Sequence, residues 1–425
     1  MEQLAFPRYD DYKPSGFDWL GEIPARWPLQ RLGAVFEERK EKVSDKEFPP
    51  LSVTKNGILP QLDSAAKSDD GDNRKGVRAG DFVINSRSDR KGSSGIAKQD
   101  GSVSLINIVL KPKGIDPQYC EHLLKSNGFI EEFYRNGHGI VADLWTTKYW
   151  DMKSIIIPVP DMATQQRIAN FLDQKNTEID EAIAKKQRLI ELLKEQKAIL
   201  INQAVTKGLN PDVPMRDSGV EWIGEVPEHW GVCALGYLAR LETGATPDRS
   251  RSSYWNGDIP WIKTGEIRYN TITDAEEFIS AQGLKNSAAR LSPPGTVLMA
   301  MYGQGVTRGR VAILGIAAAY NQACVAITPK KELTSEYTYY FLMAAYSFFR
   351  ESGNETSQMN LSSGYVGKIK IPLPSHEEQH RIVARAKAIE AEFAILLDAQ
   401  RQSVGFLQEL KQSLIAEAVT GKIKL

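Results

Sequence analysis

The sequence predicts an α+β protein: two globular domains of mixed α/β structure, separated by two long helices that pair as an antiparallel coiled coil about a pseudo-twofold axis. Three observations predict it. The chain carries an out-of-phase internal repeat, each repeat ends in a long heptad pattern, and the stretches between are short β-rich runs broken by turns.

The repeat sets the domain plan. Residues 16–27 read GFDWLGEIPARW and residues 219–230 read GVEWIGEVPEHW, an offset of 203. Residues 157–168 read IPVPDMATQQRI and residues 371–382 read IPLPSHEEQHRI, an offset of 214 that runs without a gap to QAVTKG (203–208) against EAVTGK (417–422). Between opening and tail the two copies look largely unalike. The expected divisions are a first domain over residues 1–156, a helix over 157–209, a second domain over 210–370 and a last helix over 371–425. A chain of 425 residues is in any case too long for one core.

The helices follow from spacing. No Pro or Gly occurs from 163 to 206, and Leu172, Ile179, Leu193 and Leu200 recur at heptad intervals, with Ile168, Ala182 and Leu189 on the second seam position. The later copy repeats this with Ala386, Phe393, Leu407 and Leu414, and with Ile382, Ile389, Leu396 and Leu410. Both copies place a polar residue at the same seam site, Lys186 and Gln400, where it either fixes register or faces solvent at a local widening. Each helix is expected to run ~65 Å at 1.5 Å per residue. Neither can bury its stripe alone, so the two are expected to pair.

The globular segments hold the strand-like runs GDFVINS (80–86), SLINIVLKP (104–112), DIPWIK (258–263), GTVLMAMY (295–302) and ACVAITP (323–329), with helical stretches near 117–135 and 334–351. Tryptophans 19, 27, 222 and 230 lie in the duplicated openings. A group shared by both halves suits a common structural task, so they are expected to seat each domain on the helices rather than to stack on a ligand.

Charge points to nucleic acid locally, not globally. Lys+Arg and Asp+Glu both number 53 and the net charge is zero, which argues against a nonspecific polycation but leaves local patches. Residues 73–98 hold seven Lys/Arg against two Asp, including Arg74 and the glycine-serine loop with Arg87, Arg90 and Lys91. The second domain offers TPDRSRSSYWNGD, with Arg249 and Arg251, and YGQGVTRGR, with Tyr302, Gln304, Thr307, Arg308 and Arg310. Small residues let backbone approach phosphate, while Arg can pair with guanine and Gln with adenine.

Other classes find less support. The composition, 42% hydrophobic and 25% charged, is that of a globular protein, and no apolar run approaches the ~20 residues that span a bilayer. The start MEQLAFPRYDDY is unlike a signal peptide, and Cys120, Cys233 and Cys324 lie far apart, so a cytoplasmic location is expected. Residues 374–382, PSHEEQHRI, contain His-Glu-x-x-His, a zinc-peptidase pattern. In the first copy, however, His376, Glu377 and His380 become Met162, Ala163 and Gln166. What persists is a proline, a capping residue (Asp161, Ser375), a glutamine (Gln165, Gln379) and Arg-Ile. Ser375-x-x-Glu378 is a capping box, so a helix start is expected and no metal ligand is assigned. There is no phosphate-binding loop, no strand-linked Gly-x-Gly-x-x-Gly and no Asn/Asp-Pro-Pro-Tyr/Phe stretch, and His122 and His138 are isolated; no catalytic residue is assigned.

The pieces SGVEWIGEVPEHW (218–230), GATPDRSRSSYWNGDIPWIKTGEI (244–267), NLSSGYVGKIKIPLPSHEEQHRI (360–382) and EAVTGKI (417–423) resemble the DNA-specificity subunit of type I restriction-modification systems. In the first half LGEIPARW (20–27), LSVTKNGILPQ (51–61) and IIIPVPDMATQQRI (155–168) do the same. Lys55 and Lys263 lie in these pieces and complete the set of DNA-contact candidates. The resemblance implies that each domain reads one half of a bipartite site in double-stranded DNA and that the helices act as spacer. It also implies docking of two methyltransferase subunits, which bind S-adenosylmethionine and methylate adenine N6, and of restriction/translocase subunits. This chain would then do no chemistry itself. The first domain lacks the second's TPxR…YWxGDIPWI pattern and resembles a different class of reader. Two further readings stay open on the residues alone: an adaptor with two peptide-binding heads, and a zinc hydrolase through HEEQH.

Overall fold

The computed structural model describes residues 6–61, 71–139, 145–302, 306–351 and 361–425. It divides into two compact units, residues 1–187 with 401–425 and residues 188–400. Each contains one stretch of the first long helix (Met162–Lys207) and one of the second (His376–Val419).

The first unit is built on an antiparallel sheet of β1 (Phe36–Glu38), β2 (Phe82–Asn85), β3 (Ser94–Ile96) and β4 (Asn107–Pro112), in the order β3-β2-β4-β1. Every residue of β2 is buried, because both faces of the sheet are covered. Phe82, Ile84, Ile108 and Leu110 pack against α1 (Pro117–Leu124) and the helix that follows it, through Tyr119, Leu123, Phe129 and Phe133. Val83 and Val109 point the other way, onto Val77, Val103, Leu51 and Ile58. Successive side chains of a strand face opposite sides, so one apolar run feeds two cores. A short helix, α2 (Tyr149–Met152), precedes the tail strand Ile156–Pro158, which pairs with Leu29–Arg31 and so joins opening to tail.

The second unit repeats this topology. β5 (Ala239–Thr243), β6 (Thr271–Ile272), β7 (Val297–Ala300), β8 (Val311–Leu314) and β9 (Cys324–Pro329) are ordered β5-β9-β7-β8-β6. Val297, Met299, Val325 and Ile327 face α3 (Ser335–Ala344), while Leu298, Ala300, Cys324 and Ala326 form a separate cluster on the far face. Gly231–Ala234 pairs with Lys370–Leu373, again joining opening to tail. The likeness between the halves therefore extends through the middles, where the sequences gave no sign of it. What differs lies around the shared sheet. The first unit adds the hairpin Leu51–Thr54/Gly57–Pro60, and the second adds the long strand Trp255–Ile262.

Within each unit the long helices run antiparallel. In the first, Lys411 Nζ lies 2.7 Å from both carboxylate oxygens of Asp180, Ile179 packs with Leu414 and Leu407, and Arg167 Nε reaches the Leu425 carbonyl at 3.1 Å. In the second, Leu193 and Leu200 pack against the cluster holding Ile389 and Phe393. Leu172, Ile179, Lys186, Leu193 and Leu200, and Phe393, Gln400, Leu407 and Leu414, are all buried or half-buried. On the second seam line Ile168, Ile382 and Ile389 are buried and Ala182 half-buried as expected, but Leu189, Leu396 and Leu410 are exposed, and Ile190, Leu397 and Lys411 turn inward in their place. A helix with 3.6 residues per turn drifts ~20° per heptad, enough over several turns to move the second line by one residue.

The helix ends explain the duplicated tryptophans. Gly208 (φ +76°) and Gly421 (φ +72°) follow the two long helices in the left-handed conformation of a C-terminal cap. A Cβ on Gly208 would lie 3.1 Å from the Trp230 ring, and one on Gly421 3.0 Å from that of Trp27. Both tryptophans are buried. Trp19 packs edge-on against Phe129, and Trp222 stacks on Phe348.

Candidate nucleic-acid interface

The two arginine-rich stretches singled out by composition occupy the same topological position. Arg87, Arg90 and Lys91 lie in the loop joining β2 to β3, and Tyr302, Thr307, Arg308 and Arg310 in the loop joining β7 to β8. The hairpin equivalent in both central sheets thus carries the cations. Gln304 lies outside the described residues.

In the first unit the candidates have different surroundings. Arg87 is exposed, its backbone bridged to Thr146. Arg90 is exposed with Asp89 at 3.8 Å. Lys91 is held by Glu131 at 2.7 Å. Lys55 is exposed at the tip of its hairpin, where the Thr54 hydroxyl donates to the Gly57 carbonyl and closes the turn. Arg74 is a correction to the candidate set. It is only 6% exposed, its Nε donates to Ser102 Oγ at 2.8 Å and its Nη2 to the Ser102 carbonyl at 3.1 Å. Ser102 Oγ in turn donates to the Phe48 carbonyl. Arg74 therefore ties strands together inside the fold and presents no edge to a base or phosphate.

In the second unit the TPDRSRSSYW stretch is braced by acids and rings. The Arg249 guanidinium lies 3.8 Å from the centroid of Trp255, and its Nη1 donates to Glu277 at 2.5 Å. Lys263 Nζ lies 3.0 Å from both Glu276 and Glu277, whose hydrogen bonds hold its ammonium above the ordinary lysine range. Arg251 donates to the Tyr254 hydroxyl at 2.8 Å. These cations keep exposed edges, but their first partners belong to the fold. Of the loop residues, Tyr302 is half-buried against the main core, Thr307 is half-buried, Arg308 donates to the Arg350 carbonyl, and Arg310 is half-buried near Tyr269.

One part of the surface was not foreseen. A cleft at the end of the first unit's sheet is lined by Lys40, Lys75, Arg87, Lys148, Leu105 and Trp150, with Glu38 as the one acid. Glu38 lies 3.5 Å from Lys40 and 3.6 Å from Lys75. Burial lowers the Lys75 ammonium, and Glu38 opposes this. A sequence signal existed in Lys148-Tyr149-Trp150-Asp151-Met152-Lys153, an aromatic pair between lysines.

The His-Glu-x-x-His stretch is a helix start. Glu378 Oε2 accepts from the backbone N–H of Ser375 at 3.1 Å, and Ser375 Oγ accepts from the Glu378 N–H at 3.3 Å. Glu378 also accepts from Trp230 Nε1 at 3.1 Å and pairs with His229 at 2.9 Å. Partial burial pushes its carboxyl up, but these hydrogen bonds together bring it down to about 2. The His376 ring bonds the Lys331 carbonyl. Among the described residues no group of three His, Cys, Asp or Glu is placed to hold a metal, and no helix is long and apolar enough to cross a membrane.

Comparison with known proteins follows this geometry. Residues 227–404 match the family model of the type I restriction modification DNA specificity domain. The MjaIX specificity subunit of Methanocaldococcus jannaschii is 30% identical over 38% of this chain and 38% of its own length. For the EcoR124I/EcoR124II specificity subunit of Escherichia coli the figures are 24%, 56% and 56%, so these two matches span about half or less of the relatives. The MjaVIII specificity subunit of the same archaeon is 24% identical over 97% of both chains. Among solved structures, the HsdS subunit from Thermoanaerobacter tengcongensis has the same fold, with TM-score 0.56, 19% identity and coverage of 94% of this chain and 98% of that one. A chain from a study of complex assembly in the type I R-M system gives TM-score 0.73 at 17% identity, covering 94% and 99%. With full-length relatives, a matching domain model over its second half and a shared fold, this chain is similar along nearly its whole length to the type I restriction enzyme specificity subunits.

Proposed function

We propose that this chain is the DNA-reading subunit of a type I restriction-modification assembly, each unit recognising one half of an asymmetric, bipartite site in double-stranded DNA. The observation that carries the reading is the pairing of like with unlike. One central sheet is used twice, and in both copies the hairpin that bears the cations is the same one, while the residues on it differ. A shared scaffold with differing loops suits two readers of different sequence. Readers presented to one face of a duplex engage half-sites about one helical turn, ~34–36 Å, apart. The long helices are the spacer and, on this reading, the docking surface for two methyltransferase subunits. Those subunits would bind S-adenosylmethionine and methylate adenine N6, and restriction/translocase subunits would join them in the cytoplasm. This chain contributes specificity and no catalytic group. A net charge of zero suits modest DNA affinity alone, with partner subunits adding phosphate contacts.

The test is to co-express the chain with its methyltransferase and map modified adenines. Replacing the first domain by that of a relative is expected to change one half-site and leave the other. A change in both halves at once overturns the two-reader model.

A further inference from the structure

Trp150 is 71% exposed, and it stands in the cleft where the cations of the first unit converge. An indole left in water forgoes the stabilisation of burial, so the fold gives no reason for it. Its place in α2 does not require it either. Met152 supplies the buried anchor of that helix, and by the 214-residue offset Gly364 occupies the corresponding position in the second unit. Lys153 Nζ lies 3.1 Å from the centre of the Trp150 ring, so a cation already sits on the indole. Around it Arg87 and Lys148 are exposed, Lys40 is 77% exposed and Lys75 17%. Arg87 belongs to the β2–β3 hairpin loop, which connects this cleft to the loop already assigned to DNA.

We propose that Trp150 is a base-stacking platform. Its indole stacks on a nucleobase that has left the stack of the duplex, while Arg87, Lys148 and Lys40 contact the phosphates flanking that base. This rests on the reading of the chain as a DNA binder and adds to it a contact of a different kind. A ring between lysines suits single-stranded or unstacked bases, because every base has a π-face and each is followed by a phosphate. The contact is specific to the first unit. In the second, the aromatic side chain of the corresponding helix, Tyr365, is half-buried against the core.

The experiment measures binding of the full chain to a short oligodeoxyadenosine strand, to an abasic sugar-phosphate strand of the same length, and to duplex DNA. Wild type is expected to prefer the strand with bases. Trp150→Ala should weaken binding to that strand about 5- to 100-fold, leaving the abasic strand and the salt dependence unchanged. Trp150→Phe should retain most of the affinity, and Lys148→Ala should weaken both strands alike. Trp150→Ala binding the base-bearing strand as wild type does, or losing both strands equally, overturns the platform while leaving the DNA reading intact. Wild type that binds neither strand nor duplex even at low salt overturns both.

Discussion

The hydroxyl of Tyr337 donates to the carbonyl of Val205, 132 positions earlier and near the end of the first long helix, at 3.0 Å. It also lies 3.0 Å from the Pro372 carbonyl, in the tail strand of its own unit. In the first unit Tyr119 does the same with Pro158 at 3.0 Å and Val419, near the end of the second long helix, at 3.5 Å. Both phenols are fully buried, and desolvation raises them well above the ordinary tyrosine range, so they remain neutral donors. Each fastens a domain to a helix end. Tyr337→Phe removes the single O–H that these two buried carbonyls share and is expected to destabilise by about 1–2 kcal/mol. Urea denaturation checks this, with Tyr119→Phe as the counterpart in the other unit.

The inward drift of the helix seam gives a sharp contrast between near neighbours. Phe393 is 5% exposed in the large core of the second unit, so Phe393→Ala is expected to cost about 3–5 kcal/mol. Leu396, three residues on and equally apolar, is 46% exposed, and Leu396→Ala should change stability by no more than about 0.5 kcal/mol. A strict heptad would make both costly. Thermal unfolding of the two variants separates the observed seam from the ideal one.

What the sequence disclosed, and what it withheld, follows from the range of the interactions. The long helices were legible because Pro and Gly are absent from the first and an apolar stripe repeats in both; their ends were legible in Ser375 and Glu378, which act within one turn. The matched central sheets were not. Phe82-Val83-Ile84-Asn85 and Val297-Leu298-Met299-Ala300 hold the same place with no identical residue at any matching position, because a strand buried on both faces needs little more than apolar bulk. Arg74 was misread for a related reason: its partner Ser102 lies 28 positions away, and nothing local distinguishes a buried arginine from an exposed one. Trp150 was missed because exposure is a property of the fold, and nothing local separates it from half-buried Trp145 five residues earlier.

The network at Glu378 makes a pH prediction. The folded carboxyl sits at about 2, below the ~4.3 of an unfolded glutamate, so its contribution is fully present above that unfolded value. It is lost as pH falls toward 2. Glu378→Gln is expected to lower Tm at pH 7, and the gap to wild type should close progressively between about pH 4.5 and 2. A gap that stays constant across that range would mean that the loss comes from packing against Trp230 rather than from the carboxylate.

Arg74 and Arg87, thirteen residues apart in one basic stretch, should fail in opposite ways. Arg74→Ala removes a guanidinium that donates to Ser102 at two points inside the fold, leaving those acceptors unpaired, and is expected to destabilise by about 1–3 kcal/mol. Where the variant remains folded, its DNA binding should keep the wild-type salt dependence. Arg87→Ala removes an exposed cation at the cleft, so stability should move by no more than about 0.5 kcal/mol. Its DNA affinity should fall, and the slope of log K against log salt should shrink by about one, the amount expected when one phosphate contact is lost. Titration at several salt concentrations, with unfolding curves on the same samples, distinguishes the two. Equal salt slopes for Arg87→Ala and wild type would place the phosphate contacts elsewhere on the surface.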